Sequence, residues 1–320
     1  MNDATRTDQG ALPMPDLRGS FPGPFPASPY ADDIERHAAG WLRTFPLVGS
    51  ERRSGALANI TGHGMARTFP TAGRDDLFLC ADLFLWLTAF DDAHGEATGA
   101  RDPARLVRAV GECVQVVAGH GEPPESPSVF ATALGDLLAR FRVRAAPAPY
   151  LRLTAHLRDT LFGIVWEAHH LGAPDRVTLS DYRAMRPHTV FVRTLMATGE
   201  IVLGYELTES ERSLEPVREL EGAVADLAGW INDLASYAKE TADDGQAPLS
   251  LPVLLGRQHD GDLEEAFRAA SRMCEERAAT AAARIAELTA RGGPLAAHAG
   301  ALGSVASSYV WHIRHSRYRT

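Results

Sequence analysis

The stretch Ala225–Glu240, ADLAGWINDLASYAKE, constrains this chain more than any other. It reads as one helix, with the apolar residues Leu227, Trp230, Ile231 and Leu234 at helical spacing. On the same helix Asn232, Ser236 and Glu240 stand at i, i+4 and i+8. That spacing stacks an amide, a hydroxyl and a carboxylate on one face, one turn above the next. Core packing gives no reason for such a stack. A hard divalent cation does, because Mg2+ takes oxygen ligands in near-octahedral geometry and keeps several waters. Any one of the three residues alone is explained by a solvated polar face. The full pattern N-D-x-x-S-x-x-K-E outweighs that explanation.

The rest of the chain reads as helices separated by Gly- and Pro-containing breaks. Residues 1–28, rich in Pro, Gly and Ser, form an irregular arm, either a loose tail or a strap held by Phe21 and Phe25. Residues 29–320 form a single domain. Ser28-Pro29 predicts the cap and first turn of a helix carrying Ile34, Ala38, Trp41 and Phe45. Further helices are predicted at about 51–68, 74–94, 103–117, 126–143, 147–171, 180–203, 216–241, 263–290 and 294–316. Pro187 predicts a break or kink within the 180–203 segment, and Ala242–Pro248 a polar loop. No alternating strand run and no fixed-period repeat is present. The fold class is therefore all-α, a single-domain bundle with mostly short connections between antiparallel neighbours.

Composition excludes several function classes. A net charge of −9 gives no support to a nucleic-acid partner. Lys239 is the sole lysine. Cys80, Cys113 and Cys274 lie far apart and match neither a zinc spacing nor a disulfide framework, which fits a reducing cytosol and predicts a cytoplasmic protein. The first residues carry no apolar signal core. The most apolar stretch, Leu77–Phe90, is interrupted by Asp82 and is too short for a transmembrane segment.

That same stretch ends in acid. Asp91, Asp92 and Glu96 close the segment WLTAFDDAHGE, with Asp92 and Glu96 read as i, i+4 neighbours. Adjacent carboxylates at a helix C-terminus repel one another and are disfavoured by the helix dipole, so a neutralising cation is the better explanation. His94 within the segment is set aside, since imidazole is a poor ligand for Mg2+. His169-His170 fits no metal-binding spacing.

Taken together, these motifs resemble those of the bacterial class I terpene synthases, or terpene cyclases. The helix at 225–240 resembles the family's N-[DE]-x-x-S-x-x-[KR]-E signature. Trp86, Phe90, Asp91, Asp92 and Glu96 resemble its W-x-x-x-F-D-D-x-x-x-[DE] stretch, in a DDxxxE form where DDxxD is also common. Arg186, next to Pro187 and at about the family's separation from Asn232, resembles its diphosphate sensor. Arg317-Tyr318 resemble its C-terminal Arg-Tyr pair. The resemblance spans about residues 86–318.

The resemblance implies an α-helical bundle around a central apolar cavity, and three Mg2+ ions, with Mn2+ a substitute. It assigns metal binding to Asp91 foremost, with Asp92 and Glu96 as neighbours or occasional ligands, and to Asn232, Ser236 and Glu240. It assigns the diphosphate to Arg186, Lys239, Arg317 and Tyr318. Thr189 takes the linker place and Val190 the effector place. Phe84, Leu87, Thr88 and Trp311 are the remaining expected walls of the cavity; ordinary core packing is the alternative for each, and the two are about even for Phe84. The implied reaction is ionisation of an acyclic prenyl diphosphate followed by carbocation cyclisation. Farnesyl diphosphate and a sesquiterpene product are expected, with geranyl and geranylgeranyl diphosphate as alternatives. A homodimer is compatible with the family. A prenyl diphosphate synthase ranks below, because that family carries a second D-D-x-x-D where this chain has N-D-x-x-S-x-x-K-E. A non-catalytic helical binding protein ranks below because Asn232, Ser236 and Glu240 are intact.

Overall fold

The structure, a computed structural model, describes residues 12–119, 126–171, 173–244 and 248–314. Among them the regular elements are helices, with no strand. The first seven are α1 (Ala31–Thr44), α2 (Glu51–Thr68), α3 (Arg74–His94), α4 (Glu96–Arg101), α5 (Pro103–Ala118), α6 (Val129–Arg144) and α7 (Pro147–Leu171). The second half holds α8 (Leu179–Thr189), α9 (Val192–Leu203), α10 (Glu209–Arg212), α11 (Glu215–Asp244), α12 (Leu251–Gly256), α13 (Leu263–Arg291) and α14 (Gly293–Arg314). None of the described helices is long and apolar enough to cross a membrane.

Local chemistry sets most of the boundaries. Asp102 accepts a hydrogen bond from the Arg105 amide at 3.0 Å, and Pro103 follows it as the first residue of α5. Ser128 caps α6 through the Ala131 amide at 3.2 Å. Thr178 and Asp181 form a reciprocal capping box on α8.

Four expectations shift. Ser28 is not a helix cap: α1 begins at Ala31, and the Ser28 amide instead donates to the Ala66 carbonyl at 2.8 Å. The break expected at Pro187 falls three residues later. Pro187 stays inside α8, and the chain turns at Val190 and at Phe191, whose φ of 62° lies in the left-handed region. The helix carrying Asn232 runs on through Asp244, into the expected loop. Finally, α3 stops at His94 and Gly95 is extended, so Glu96 opens α4 and does not stand one helical turn beyond Asp92.

The arm from Leu12 onward lies along the bundle. Leu17 and Phe21 are buried and Phe25 packs against the same apolar cluster. Ser271 donates to the Pro13 carbonyl at 3.2 Å, and the Asp16 amide donates to Glu275 at 2.9 Å, which ties the arm to α13.

The apolar interior has two clusters, and α3 contributes to both. Its burial is nearly complete from Leu77 to Phe90. Asp82 sits in the middle of this run with no exposure, held by His37 of α1 at 2.9 Å and Arg140 of α6 at 2.8 Å. The carboxylate therefore pins α3 between two neighbours. Both partners are partly exposed and can turn to water once it is gone. Removing it should cost about 2 kcal/mol, below the roughly 3–5 kcal/mol of a fully buried pair. Asp82→Ala should lower the urea midpoint accordingly without changing the denaturant slope. A midpoint equal to that of the unaltered protein would mean the triad holds nothing together.

Candidate active site

Two interior helices each carry a single partly open line. Between Leu79 and Phe90 every residue of α3 is buried except Phe84 and Thr88. Both share a face with half-buried Asp91, which stands three positions after Thr88 and seven after Phe84 at the C-terminal end of the helix. On α11, from Leu227 to Ser236, only Asn232 keeps appreciable exposure.

Beside Asn232 stands Arg186 of α8. Its Nη2 donates to Asn232 Oδ1 at 2.8 Å and pairs with Asp233 Oδ1 at 2.7 Å. Its Nη1 donates to Thr189 Oγ1 at 2.9 Å and pairs with Glu167 of α7 at 3.5 Å. A guanidinium has no acceptor, so it is the amide oxygen of Asn232 that must face it. The remaining oxygen of Asp233 accepts from the Tyr182 hydroxyl and from the Leu251 amide, the latter at 2.7 Å at the start of α12. Burial, and then Asp233 itself, push the Tyr182 phenol well above its ordinary range, so it remains a donor. Burial pushes the Tyr309 phenol of α14 up to about 12, and nearby Arg186 partly opposes this.

Glycines let these elements approach. A Cβ on Gly229 of α11 would stand 2.6 Å from Arg186 Cγ. One on Gly163 of α7 would stand 3.0 Å from His188 Cβ and 3.3 Å from the Thr189 amide nitrogen. One on Gly95 would strike Asp91 Oδ1 and stand 3.1 Å from Ile164 of α7. Gly163, Ile164 and Glu167 lie within about one turn of α7. That single turn supports the acidic end of α3 on one side and the arginine-bearing end of α8 on the other.

The oxygen donors suit a divalent cation. Ser236 donates its hydroxyl proton to the Asn232 carbonyl at 2.8 Å, which leaves its lone pairs available. Among the described residues no three His, Cys, Asp or Glu side chains cluster as a metal site. The candidate set is accordingly one of mixed amide, hydroxyl and carboxylate oxygens. Glu96 opens α4, and Lys239 and Glu240 fall in α11, but only their backbone is described. Arg317 and Tyr318 lie outside the described residues.

Two expected wall residues have other contacts. Leu87 has 0% exposure and packs with Trp86 and Phe90 in a core cluster, so it borders no opening that water can enter. Trp311 stacks under the Arg67 guanidinium of α2 at 3.7 Å, a cation–π contact that occupies one face of the indole. Thr189 is buried against Arg186, and Val190 is half-buried at the helix break. His94 sits between Phe90 and Phe130, as a packing residue. Asp233, Glu167, Tyr182 and Tyr309 were not expected at the site. Asp233 lies within the metal motif, but helical spacing puts it off the Asn232 face. Glu167 has no local signal at all.

Comparisons with known proteins show the family. The family described as terpene synthase family 2, C-terminal metal binding, matches residues 82–280. The chain belongs to that family: it is a bacterial class I terpene synthase, with the α-helical fold of that class. It is 76% identical over 322 residues, covering 100% of both chains, to a (12E)-labda-8(17),12,14-triene synthase of Streptomyces anulatus. It is 56% identical to a synthase of the same name from Streptomyces cyslabdanicus, over 98% of this chain and 96% of that one. A crystal structure of linalool/nerolidol synthase from Streptomyces clavuligerus, in complex with 2-fluorogeranyl diphosphate, superposes with a TM-score of 0.79. It shares 20% identity and covers 90% of this chain and 100% of that one.

Gly229 gives a clean test of the Arg186 geometry. Gly→Ala inside a helix gains about 1 kcal/mol of propensity, while here the added Cβ must push Arg186 aside. Gly229→Ala should melt within a few degrees of the unaltered protein, yet bind inorganic diphosphate about tenfold or more weakly by calorimetry, a loss of about 1.4 kcal/mol. Unchanged diphosphate affinity would mean Arg186 is not placed by this contact.

Proposed function

We propose that the chain ionises a C20 allylic diphosphate and ends the reaction by losing one proton, giving a labdane-type triene. The observation that carries this reading is the likeness, at 76% and 56% identity over nearly the whole chain, to two labdatriene synthases. It favours a diterpene substrate over the farnesyl diphosphate expected from the family resemblance.

The relatives' product name supports a finer reading. In a labdane the diphosphate leaves C15. Breaking that C–O bond sends the electron pair out with the diphosphate and leaves an allylic cation shared by C13 and C15. Loss of a proton from C12 turns the C12–H pair into a double bond, which is the 12,14-diene of the name. No ring closes in these steps. The two fused rings and the 8(17) alkene lie at the far end of the molecule, and forming them needs protonation of an alkene there. The substrate therefore arrives with its decalin already closed, as a labdadienyl diphosphate. The cyclisation cascade expected from the motifs shortens to ionisation and elimination.

Each part of the site has a place in this chemistry. Asp91 on one helix and Asn232 and Ser236 on another would hold divalent ions, taken as three Mg2+ with Mn2+ able to substitute, together with Glu240 and, as occasional ligands, Asp92 and Glu96. When bound, the ions draw charge from the leaving diphosphate. Arg186 donates to its oxygens through a fork suited to phosphate, with Lys239, Arg317 and Tyr318 as further donors. Phe84, Thr88 and Val190 border the hydrocarbon and keep water from the cation. Buried reduced cysteines at 80, 113 and 274 suit a cytosolic enzyme.

The test is incubation of the purified protein with Mg2+ and, separately, geranyl, farnesyl, geranylgeranyl and labdadienyl diphosphates, followed by gas chromatography–mass spectrometry. A labdatriene should form from labdadienyl diphosphate, stop with EDTA and return with added Mg2+. A bicyclic product from geranylgeranyl diphosphate would mean that the protein closes the rings itself. Turnover of farnesyl diphosphate alone would restore the sesquiterpene reading.

A further inference from the structure

Arg186 holds the oxygen that a metal ion would need. Its Nη2 donates at 2.8 Å to Asn232 Oδ1, the amide oxygen that opens the N-D-x-x-S pattern. That oxygen has two lone pairs, so geometry alone permits a second partner. Charge does not favour it. A Mg2+ bound at about 2.1 Å on the other lone pair would stand only about 4 Å from the donating nitrogen, in a partly desolvated site. The hold on the guanidinium is strong. Asp233 pairs with the same nitrogen at 2.7 Å, Thr189 accepts from its neighbour at 2.9 Å, and Glu167 lies at 3.5 Å. Asp233 is in turn fixed by Tyr182 and the Leu251 amide.

We infer that Arg186 and a divalent cation compete for Asn232 Oδ1, so that metal uptake on α11 and movement of Arg186 toward the diphosphate are one coupled event. The inference rests on the reading of Asn232 as a metal ligand and Arg186 as a diphosphate donor. Metal alone must break or weaken the Arg186–Asn232 contact with no anion drawing the guanidinium away, and so binds weakly. Diphosphate supplies that partner, draws Arg186 off Asn232 and frees the oxygen. By linkage the effect is reciprocal: metal on Asn232 releases Arg186 and strengthens diphosphate binding. The site thus resists loading with metal in the absence of the anion that the metal is there to neutralise. Asp233 and Glu167 are positioning residues in this scheme. They set how firmly Arg186 is held, and touch neither the metal nor the diphosphate.

Mn2+ binding followed by electron paramagnetic resonance tests this without turnover. In the absence of diphosphate, Arg186→Ala should bind Mn2+ about fivefold or more tightly than the unaltered protein, within the range of ordinary coupling between sites. In an Asn232→Ala background the same substitution should give little of that gain, because the contested oxygen is gone. Melting curves and circular dichroism establish that each variant is folded. If Arg186→Ala fails to fold, Arg186→Gln carries the test under the same criteria. A variant that binds Mn2+ no more tightly than the unaltered protein overturns the competition. So does a gain that persists in full without Asn232, which would show only the general field of a nearby charge. If the unaltered protein takes up no Mn2+ even with inorganic diphosphate, the functional reading itself fails. Mn2+ uptake without coupling between residues 186 and 232 sinks the competition alone.

Discussion

A charged group can sit inside a helical bundle only if its neighbours replace the water it has lost. Arg186 retains 11% of its side-chain exposure, and Asp233, its main counter-charge, 2%. The replacement is drawn from three helices: Asn232 and Asp233 on α11, Glu167 on α7, and Thr189 on α8 itself. Each of those helices must therefore stop at a set distance and angle from the others. Gly229 and Gly163 are the places where the backbone gives way so that this can happen. The chain break at Val190–Phe191 lies directly after the turn that seats Arg186 and Thr189 against α11 and α7.

The same constraint explains how polar chemistry coexists with an apolar interior. The polar groups lie where α3 ends at Asp91 and where α11 presents Asn232 and Ser236, and one turn of α7 reaches toward both through Ile164 and Glu167. Below Asp91 on α3, Thr88 and Phe84 keep the only exposure on an otherwise buried run. A diphosphate held there would lie among oxygens and a guanidinium, and its hydrocarbon among apolar side chains. In the proposed reaction, ionisation would separate charge along that boundary, the anion staying with its donors and the cation forming among apolar side chains.

Much of this was legible in the sequence, because helical periodicity is a strong signal and the metal motifs combine residue types that packing alone does not explain. The helices at 74–94 and 147–171 have the limits read from their caps, their prolines and their apolar spacing. Reading failed where a contact between distant segments decides the outcome. Pro187 looked like the break, yet the helix runs on to Thr189 while Arg186 pairs with α11, a contact no local signal announces. Asp92 and Glu96 looked like one helical face, yet the helix stops at His94 and Gly95 is extended, in a place where a Cβ would strike Asp91 and Ile164. Leu87 and Trp311 lie at sensible positions for a cavity wall, but periodicity does not distinguish a wall from a core residue or from the partner of Arg67. Glu167 carries no local mark, since its role comes from Arg186, which is distant in sequence. Substrate length is not written in the motifs, because these recognise the diphosphate that all such substrates share.

The account stands on Asp91 and Asn232 serving one diphosphate from two helices. The direct measurement is the initial rate of diphosphate release from labdadienyl diphosphate across a Mg2+ titration, for the unaltered protein, Asp91→Ala, Asn232→Ala and the double variant. Each single substitution should raise the Mg2+ needed for half-maximal rate and lower the maximal rate by about 100-fold or more, as removal of a main stabiliser of leaving-group charge does. The double variant should be little worse than the poorer single, because both residues act on the same bond-breaking step. A rate for Asp91→Ala equal to that of the unaltered protein at saturating Mg2+ would contradict the account, and so would losses that simply multiply in the double variant.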